Sequence, residues 1–208
     1  MQLKVCGMRD PENIRQLLQL KPDYMGFIFF DKSPRHVGEV LDESLLKSFP
    51  SHTQKVGVFV NAPIEYLKAR VSQYELDLVQ LHGDESVDYV AELYAVGISV
   101  MKVFSVGESF DFSILGQYNP FVEFFLFDTK GKARGGTGKT FDWNILKGYD
   151  LEVPFFLSGG IDLTNLSDLE ALEGLPVHAL DVNSRFELAP GLKDIEKVTR
   201  LTEELNKG

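Results

Sequence analysis

Residues 154–160 read PFFLSGG, an apolar run that stops at a serine followed by two glycines. Seven further runs share this composition, and most of them are almost continuously apolar. The eight runs are LKVCG (3–7), DYMGFIFF (23–30), QKVGVFV (54–60), LDLVQLHG (76–83), SVMKVFSV (99–106), EFFLFDT (123–129), PFFLSGG (154–160) and HALDVNS (178–184). Continuous apolar runs are typical of parallel strands buried on both faces, whereas half-exposed strands alternate polar and apolar residues.

The spacing of the runs indicates how the strands are connected. Their ends, taken as residues 6, 29, 60, 82, 105, 128, 158 and 182, lie 22 to 31 residues apart, which accommodates one strand and one helix. Eight strands alternating with helices fit a closed barrel or an open doubly wound sheet, and their number favours the barrel. We therefore predict an α/β fold, a single (β/α)8 TIM barrel with eight parallel strands, forming one catalytic domain over residues 1–208.

Helix signals fill most of the intervals between the runs. A capping residue, in one case with a following proline, precedes segments whose apolar residues recur at helical spacing. These signals are Asp10 and Pro11 before 12–20, Asn61 before 62–74, Asp84 before 85–96 with Gly97 closing the helix, Asn165 before 166–174, and the carboxyl-terminal segment 192–205. Signals after the second, fifth and sixth strands are weak, so short helices are predicted there.

The composition excludes several classes of function. With 31 acidic and 21 basic residues, the net charge of −10 opposes binding to nucleic acid, which needs clustered Lys and Arg. No apolar run approaches the roughly 18 residues that span a bilayer, and the amino terminus lacks the features of a signal peptide. The single cysteine cannot form an internal disulfide. We expect a cytoplasmic, soluble monomer without membrane contact.

Polar residues at the ends of the apolar runs are the candidates for chemistry. In (β/α)8 barrels the functional groups lie at the carboxyl ends of the strands and in the loops that follow. The candidates are Cys6, Arg35, Asn61, His82, Asp128, Ser158 to Gly160, Asp181, and Asn183 to Arg185.

Cys6 and Asp128 each have a functional and a structural interpretation. A thiol acts as a base when its pKa is lowered from roughly 8.5, but a lone buried cysteine also packs as a small hydrophobic residue. A carboxyl group in a barrel mouth can serve as a general acid, but Asp128 could equally cap a helix or pair with Lys130. The residues alone leave both alternatives open.

The segments after the seventh and eighth strands predict a phosphate site. Gly159 and Gly160 follow one strand and residues 182–185 follow the next, where barrels of this class hold phosphate with backbone N–H groups. The alternative is a pair of tight turns, since glycine supplies positive φ. Arg35 is either a surface residue or a fork for a carboxylate.

Between Asp128 and Gly148, the residues ARGGTGKT (133–140) approximate the nucleotide-binding P-loop motif. The first glycine is replaced by Ala133 and the run begins well beyond the strand end, so a mobile lid over Gly131 to Thr140 explains the glycines better. The four histidines lack metal-ligand spacing, and no metal is expected.

Taken together, the motifs resemble the phosphoribosylanthranilate isomerase family of tryptophan biosynthesis over some 190 residues. The resemblance is carried, in order, by KVCGMRDPENI, GFIFFDKSPRHV, KVGVFVN, VQLHGDE, FDT with GGTGKTFDW, FLSGGID with Asn165, and DVNSRFELAPGLKD. It implies an intramolecular aldose–ketose isomerase that acts on a small phosphorylated substrate and needs no metal or organic cofactor.

Residue by residue, the resemblance implies that Cys6 is the general base and Asp128 the general acid. Arg35 would bind the anthranilate carboxylate and Asp181 would lie near the sugar hydroxyls. The residues implied around the phosphate are Gly159, Gly160, Ser184 and Arg185. The family commonly has SSG where this chain has Asn183, Ser184 and Arg185, so a positive φ at Arg185 would strain the loop.

Three other functions fit parts of the sequence. A related barrel, such as the histidine-pathway isomerase, performs the same rearrangement but would be expected to use two aspartates. A catalytically silent barrel could bind a phosphorylated metabolite. A thiol hydrolase would need Cys6 with His36 or His82, yet no residue is evident to orient the histidine.

Overall fold

The computed structural model describes residues 1–38, 41–129 and 143–207. Eight parallel strands close into a barrel in chain order, and the first strand pairs with the eighth. They are β1 (Gln2–Val5), β2 (Tyr24–Ile28), β3 (Gln54–Phe59), β4 (Leu78–Leu81), β5 (Val100–Val106), β6 (Phe124–Thr129), β7 (Phe155–Ser158) and β8 (Val177–Val182). Each strand ends within one residue of the predicted position, and the predicted α/β barrel is confirmed.

Helices of uneven length connect the strands. The α-helices are α1 (Pro11–Leu18), α2 (Glu43–Lys47), α3 (Ile64–Tyr74), α4 (Val87–Ala95) and α5 (Ile195–Leu205). The 3₁₀ helices are Phe112–Gln117, Asn119–Phe121, Trp143–Gly148, Leu166–Leu172 and Ser184–Phe186. The helices described after β2, β5 and β6 are short or 3₁₀, as predicted, and the segment after Asn165 is 3₁₀ as well. Within the described ranges, no helix has the length and apolar character to cross a membrane.

The helix caps were predicted with mixed success. The Asp10 side chain accepts a hydrogen bond from the backbone of α1, as expected. Two other cap predictions were wrong, because α3 follows Pro63 and α4 is capped by Ser86. The Asn61 side chain instead accepts a hydrogen bond from the Asp84 backbone N–H at 2.7 Å. This bond joins the loops after β3 and β4, and both helices begin two residues later than predicted.

A small antiparallel hairpin follows the last barrel strand and was not predicted. It consists of β9 (Glu187–Ala189) and β10 (Leu192–Lys193), with Gly191 at φ 83° in the turn between them. Its ends bring Glu187 and Lys193 back toward the mouth of the barrel. The segment DVNSRFELAPGLKD (181–194) thus forms the end of β8, a 3₁₀ turn and this hairpin.

The amino-terminal end of the barrel is filled by aromatic side chains. His178, at the start of β8, packs against the rings of Phe124 and Phe156 with centroid distances of 4.5 Å and 5.2 Å. The Tyr24 hydroxyl lies 2.8 Å from His178 Nε2. Burial lowers the pKa of His178, although the charges of Asp23 and Glu123 oppose this shift.

Because the folded state favours the neutral ring, the stabilisation from His178 should be present above the unfolded pKa of about 6.5 and lost as the pH falls below it. The urea midpoint of the wild type should therefore drop between pH 7.5 and pH 5.5. His178→Gln keeps a hydrogen-bonding group for Tyr24 without a titrating ring, so its midpoint should change less over the same interval. Equal changes in the two proteins would contradict the assignment.

Candidate active site

A cavity of about 230 Å³ opens at the carboxyl ends of the strands. Its lining residues come from seven of the eight strand mouths and are Cys6, Ile28, Val58, Gln80, His82, Asp128, Ser158 to Ile161, and Asp181 to Arg185. The cavity brings together every predicted site residue except Arg35 and Asn61, and Asn61 lines a neighbouring cavity.

Cys6 directly follows β1 and is buried. Its N–H donates to the Val182 carbonyl at 2.9 Å, which anchors it to β8. A Cβ atom at Gly26 on β2 would lie 2.8 Å from Cys6 Sγ, so the thiol occupies space that only glycine leaves free. Gly7 turns the chain away from the strand at φ 78°.

Buried charges surround the thiol. Burial raises the pKa of Cys6, while the positive charges of Lys4 and Lys193 oppose the shift. Lys4 is fully buried, and its Nζ lies 2.8 Å from Asp181 Oδ1. The thiol is therefore neutral at neutral pH in the free protein, opposite to the lowered pKa that a ready base requires. The neighbouring lysines supply the charge that would stabilise a thiolate once it forms.

Asp128 lies on β6 between β5 and β7 and is partly exposed to the cavity. Its Oδ2 atom is 3.8 Å from His82 Nε2. The other ring nitrogen of His82 lies 3.2 Å from the Gln80 side-chain nitrogen. The alternative partner considered for Asp128, Lys130, lies outside the described residues, as does the predicted lid over Gly131 to Thr140.

Two consecutive glycines with positive φ shape the loop after β7. Gly159 and Gly160 have φ values of 94° and 68°, which an L-residue adopts only with strain. The Asn165 side chain donates to the Gly160 carbonyl at 3.0 Å and accepts from the Asp162 N–H at 2.9 Å. Asn165 thus holds the shape of the loop, although it does not cap the helix with its side chain.

The loop after β8 turns into a short 3₁₀ helix, Ser184–Phe186. Arg185 is absent from the residues with positive φ, so replacing a glycine there costs no left-handed strain. Its carbonyl accepts a hydrogen bond from Lys197 Nζ at 2.7 Å, and the same nitrogen lies 2.8 Å from Asp162 Oδ2. Lys197 therefore connects the loops after β7 and β8.

Arg35 lies beside the cavity and pairs with Glu187 on β9. Its Nε and Nη2 atoms lie 2.9 Å and 2.6 Å from the two carboxylate oxygens. Glu187 Oε1 also accepts from Lys193 Nζ at 2.5 Å. These hydrogen bonds raise the pKa of Arg35 and, against the effect of burial, lower that of Glu187. Arg35, which was predicted to bind a substrate carboxylate, is therefore paired with the carboxylate of Glu187 in this structure.

Residues 3–204 match the family model described as N-(5'-phosphoribosyl)anthranilate (PRA) isomerase. The chain belongs to this family. The PRA isomerase of Parabacteroides distasonis is 42% identical over 98% of this chain and 92% of its own length. The relative from Phocaeicola vulgatus is 41% identical over 92% and 91% of the two chains.

Solved structures of PRA isomerases have the same fold. That from Thermotoga maritima has a TM-score of 0.85 at 29% identity and covers 100% of both chains. Another PRA isomerase, with a TM-score of 0.83 at 26% identity and 100% coverage of both chains, was crystallised with reduced 1-(o-carboxyphenylamino)-1-deoxyribulose 5-phosphate.

Several charged residues beside the candidate site of this PRA isomerase family member were not predicted from the sequence. Lys4 had a detectable signal, because a lysine two residues before Cys6 in an apolar strand points to the same face. Glu187 had none, since 152 residues separate it from Arg35. Lys193 lies in a hairpin that showed no strand pattern. Among the described residues, no group of three or more His, Cys, Asp or Glu could hold a metal ion.

Gly26→Ala should disturb the thiol specifically, because its new methyl group would meet Cys6 Sγ at 2.8 Å. Gly57→Ala on the adjacent strand is a matched control, since its methyl group would meet Leu76 and Phe59 in the core. Both variants should lose about 1–3 kcal/mol of stability through overpacking. Only Gly26→Ala should also lose kcat, by up to about a hundredfold for a displacement near 1 Å.

Urea denaturation and steady-state kinetics on both proteins test this difference. Equal losses of kcat in the two variants would show that activity follows general stability and not the position of the thiol.

Proposed function

We propose that this chain converts N-(5'-phosphoribosyl)anthranilate to 1-(2-carboxyphenylamino)-1-deoxyribulose 5-phosphate in tryptophan biosynthesis. The observation that carries the proposal is one cavity lined by a thiol, a carboxyl group, the two glycines after β7 and the loop after β8. Family membership over residues 3–204 supports the same reaction, as does the phosphorylated ligand bound by a solved relative.

The rearrangement requires one proton to be delivered and another to be removed. In our proposal Asp128 protonates the furanose oxygen, and the anthranilate nitrogen donates its electron pair as the ring opens to an iminium ion. Cys6 then removes the proton from C2′, giving an enolamine that tautomerises to the ketone. Because burial raises the pKa of Cys6, the thiol must first ionise beside the Lys4 and Lys193 charges.

The phosphate is proposed to bind where the loops after β7 and β8 meet. The positive φ values at Gly159 and Gly160 support this assignment, since such a backbone can direct N–H groups at an anion. Ser184 and Arg185 line the same cavity, and so does Asp181, which we assign to the sugar hydroxyls. A ligand complex with phosphate bound elsewhere would refute this proposal.

Cys6→Ala, Cys6→Ser and Asp128→Asn should each lower kcat by roughly 10²- to 10⁴-fold, the usual contribution of a positioned acid or base. Cys6→Ser should be nearly as slow as Cys6→Ala, because a hydroxyl loses its proton far less readily than a thiol. The assay follows the loss of phosphoribosylanthranilate fluorescence, with circular dichroism as the control for folding. A folded Cys6→Ala protein that keeps more than about a tenth of wild-type kcat would instead make Cys6 a structural residue.

Arg35→Ala should raise KM by roughly ten- to a hundredfold with a smaller effect on kcat, since a hydrogen bond to a charged group contributes about 1.5–3 kcal/mol. The control is a phosphoribosylamine substrate whose aromatic ring lacks the carboxylate. Its KM should be the same for wild type and variant. If both substrates lose affinity equally, Arg35 supports the loops through Glu187 and does not bind the substrate carboxylate.

Other features of the proposal rest on the sequence alone. One catalytic domain over residues 1–208, a monomeric state and a cytoplasmic location stay predictions, supported by the acidic charge and the single cysteine. The histidine-pathway reaction and a silent metabolite-binding barrel are not favoured by the comparisons. A spectral assay with both isomerase substrates distinguishes the two reactions directly.

A further inference from the structure

His82 separates two cavities at the mouth of the barrel. One is the cavity that contains Cys6 and Asp128, and the other, of about 530 Å³, lies over the ends of β3, β4 and β5. The His82 side chain is 38% exposed, and its Nε2 atom lies 3.8 Å from Asp128 Oδ2. The ring therefore has access both to solvent and to the proposed acid.

Gln80 orients the ring. Its side-chain nitrogen lies 3.2 Å from His82 Nδ1, which leaves Nε2 on the side of Asp128. Gln80 is buried, and within the described part of the chain its Oε1 atom has no hydrogen-bond partner. Rotation of the amide by 180° would place that oxygen against a protonated Nδ1. Gln80 can therefore pair with His82 in both of its protonation states.

The proposed reaction leaves Asp128 without its proton after ring opening, while the proton from C2′ resides on Cys6. Asp128 has to regain a proton before the next substrate is opened. Hydrogen bonds between catalytic groups are often long in structures without substrate, so a separation of 3.8 Å is compatible with proton transfer once substrate is bound.

We infer that His82 returns the proton to Asp128, an inference that rests on the proposed function. The imidazolium gives its Nε2 proton to the Asp128 carboxylate, and the neutral ring then takes up a proton from bulk solvent through the second cavity. Ionisation of the Cys6 thiol returns one proton to solvent, so the protons balance over each turnover. His82 thus acts through Asp128 and does not touch the reacting atoms. The charged or titratable groups that share its two cavities are Cys6, Asp128, Asp181 and Arg185 on one side, and Asp84, Glu85, Lys102 and Tyr118 on the other.

A buried ion pair that does not involve Asp128 holds the shape of the second cavity. Lys102 Nζ lies 3.1 Å from Glu85 Oε2 in a buried pair, and it donates to the Gly83 carbonyl at 2.8 Å. This pair fixes the loop that follows His82. The path from solvent to the ring is consequently a defined feature of the barrel mouth, built by β4 and β5.

The test is proton rescue of His82→Asn, with His82→Gln as a second variant in case the first folds poorly. At low buffer concentration kcat should fall at least about tenfold with KM within twofold of wild type, and added imidazole should restore it. His52→Asn is the matched control, because His52 is exposed in the turn before β3 and its loss should change neither quantity.

An unchanged kcat would overturn the inference, and so would a fall that neither imidazole nor concentrated buffer reverses, since that outcome indicates a structural role. Failure of wild-type protein to convert phosphoribosylanthranilate is a different result, because it overturns the proposed function itself and the inference with it.

Discussion

The barrel closes where β1 meets β8, and a buried ion pair spans this seam. Lys4 and Asp181 are directly paired in the register of the two strands, and their charged atoms lie 2.8 Å apart. Two residues beyond Lys4, the chain reaches Cys6 at the barrel mouth. Removing either partner would leave an uncompensated buried charge, which typically costs about 3–5 kcal/mol. The contact that closes the fold is thus also the floor of the candidate active site.

The positions of the charged residues explain how an acidic protein could bind an anionic substrate. A chain with net charge −10 would repel a substrate that carries phosphate and carboxylate groups. Yet Lys4, Lys193, Arg35 and Arg185 lie around the barrel mouth, and the low dielectric of the interior strengthens the field of the buried Lys4 and Lys193. Asp181 and Glu187 balance three of these cations without removing their local effect. Most of the 31 acidic residues lie elsewhere in the molecule.

The fold was predictable because each strand carries its own signal. The apolar runs marked all eight strand ends to within one residue, and the positions of Cys6, Asp128 and the loops after β7 and β8 followed from those ends. Contacts between distant segments had no such signal. The Arg35–Glu187 pair depends on a hairpin whose strands are only three and two residues long. The caps at Asn61 and Asp84 failed because those residues bond across neighbouring loops, which local patterns do not encode.

At the amino-terminal end, the packed rings of Tyr24, Phe124, Phe156 and His178 determine how substrate enters and product leaves. These rings fill the amino-terminal end of the barrel, so the cavity opens only at the carboxyl ends of the strands. Substrate and product must then pass through the same mouth in turn. A product molecule that lingers there blocks the next substrate, and the rate at which the mouth empties sets an upper bound on turnover.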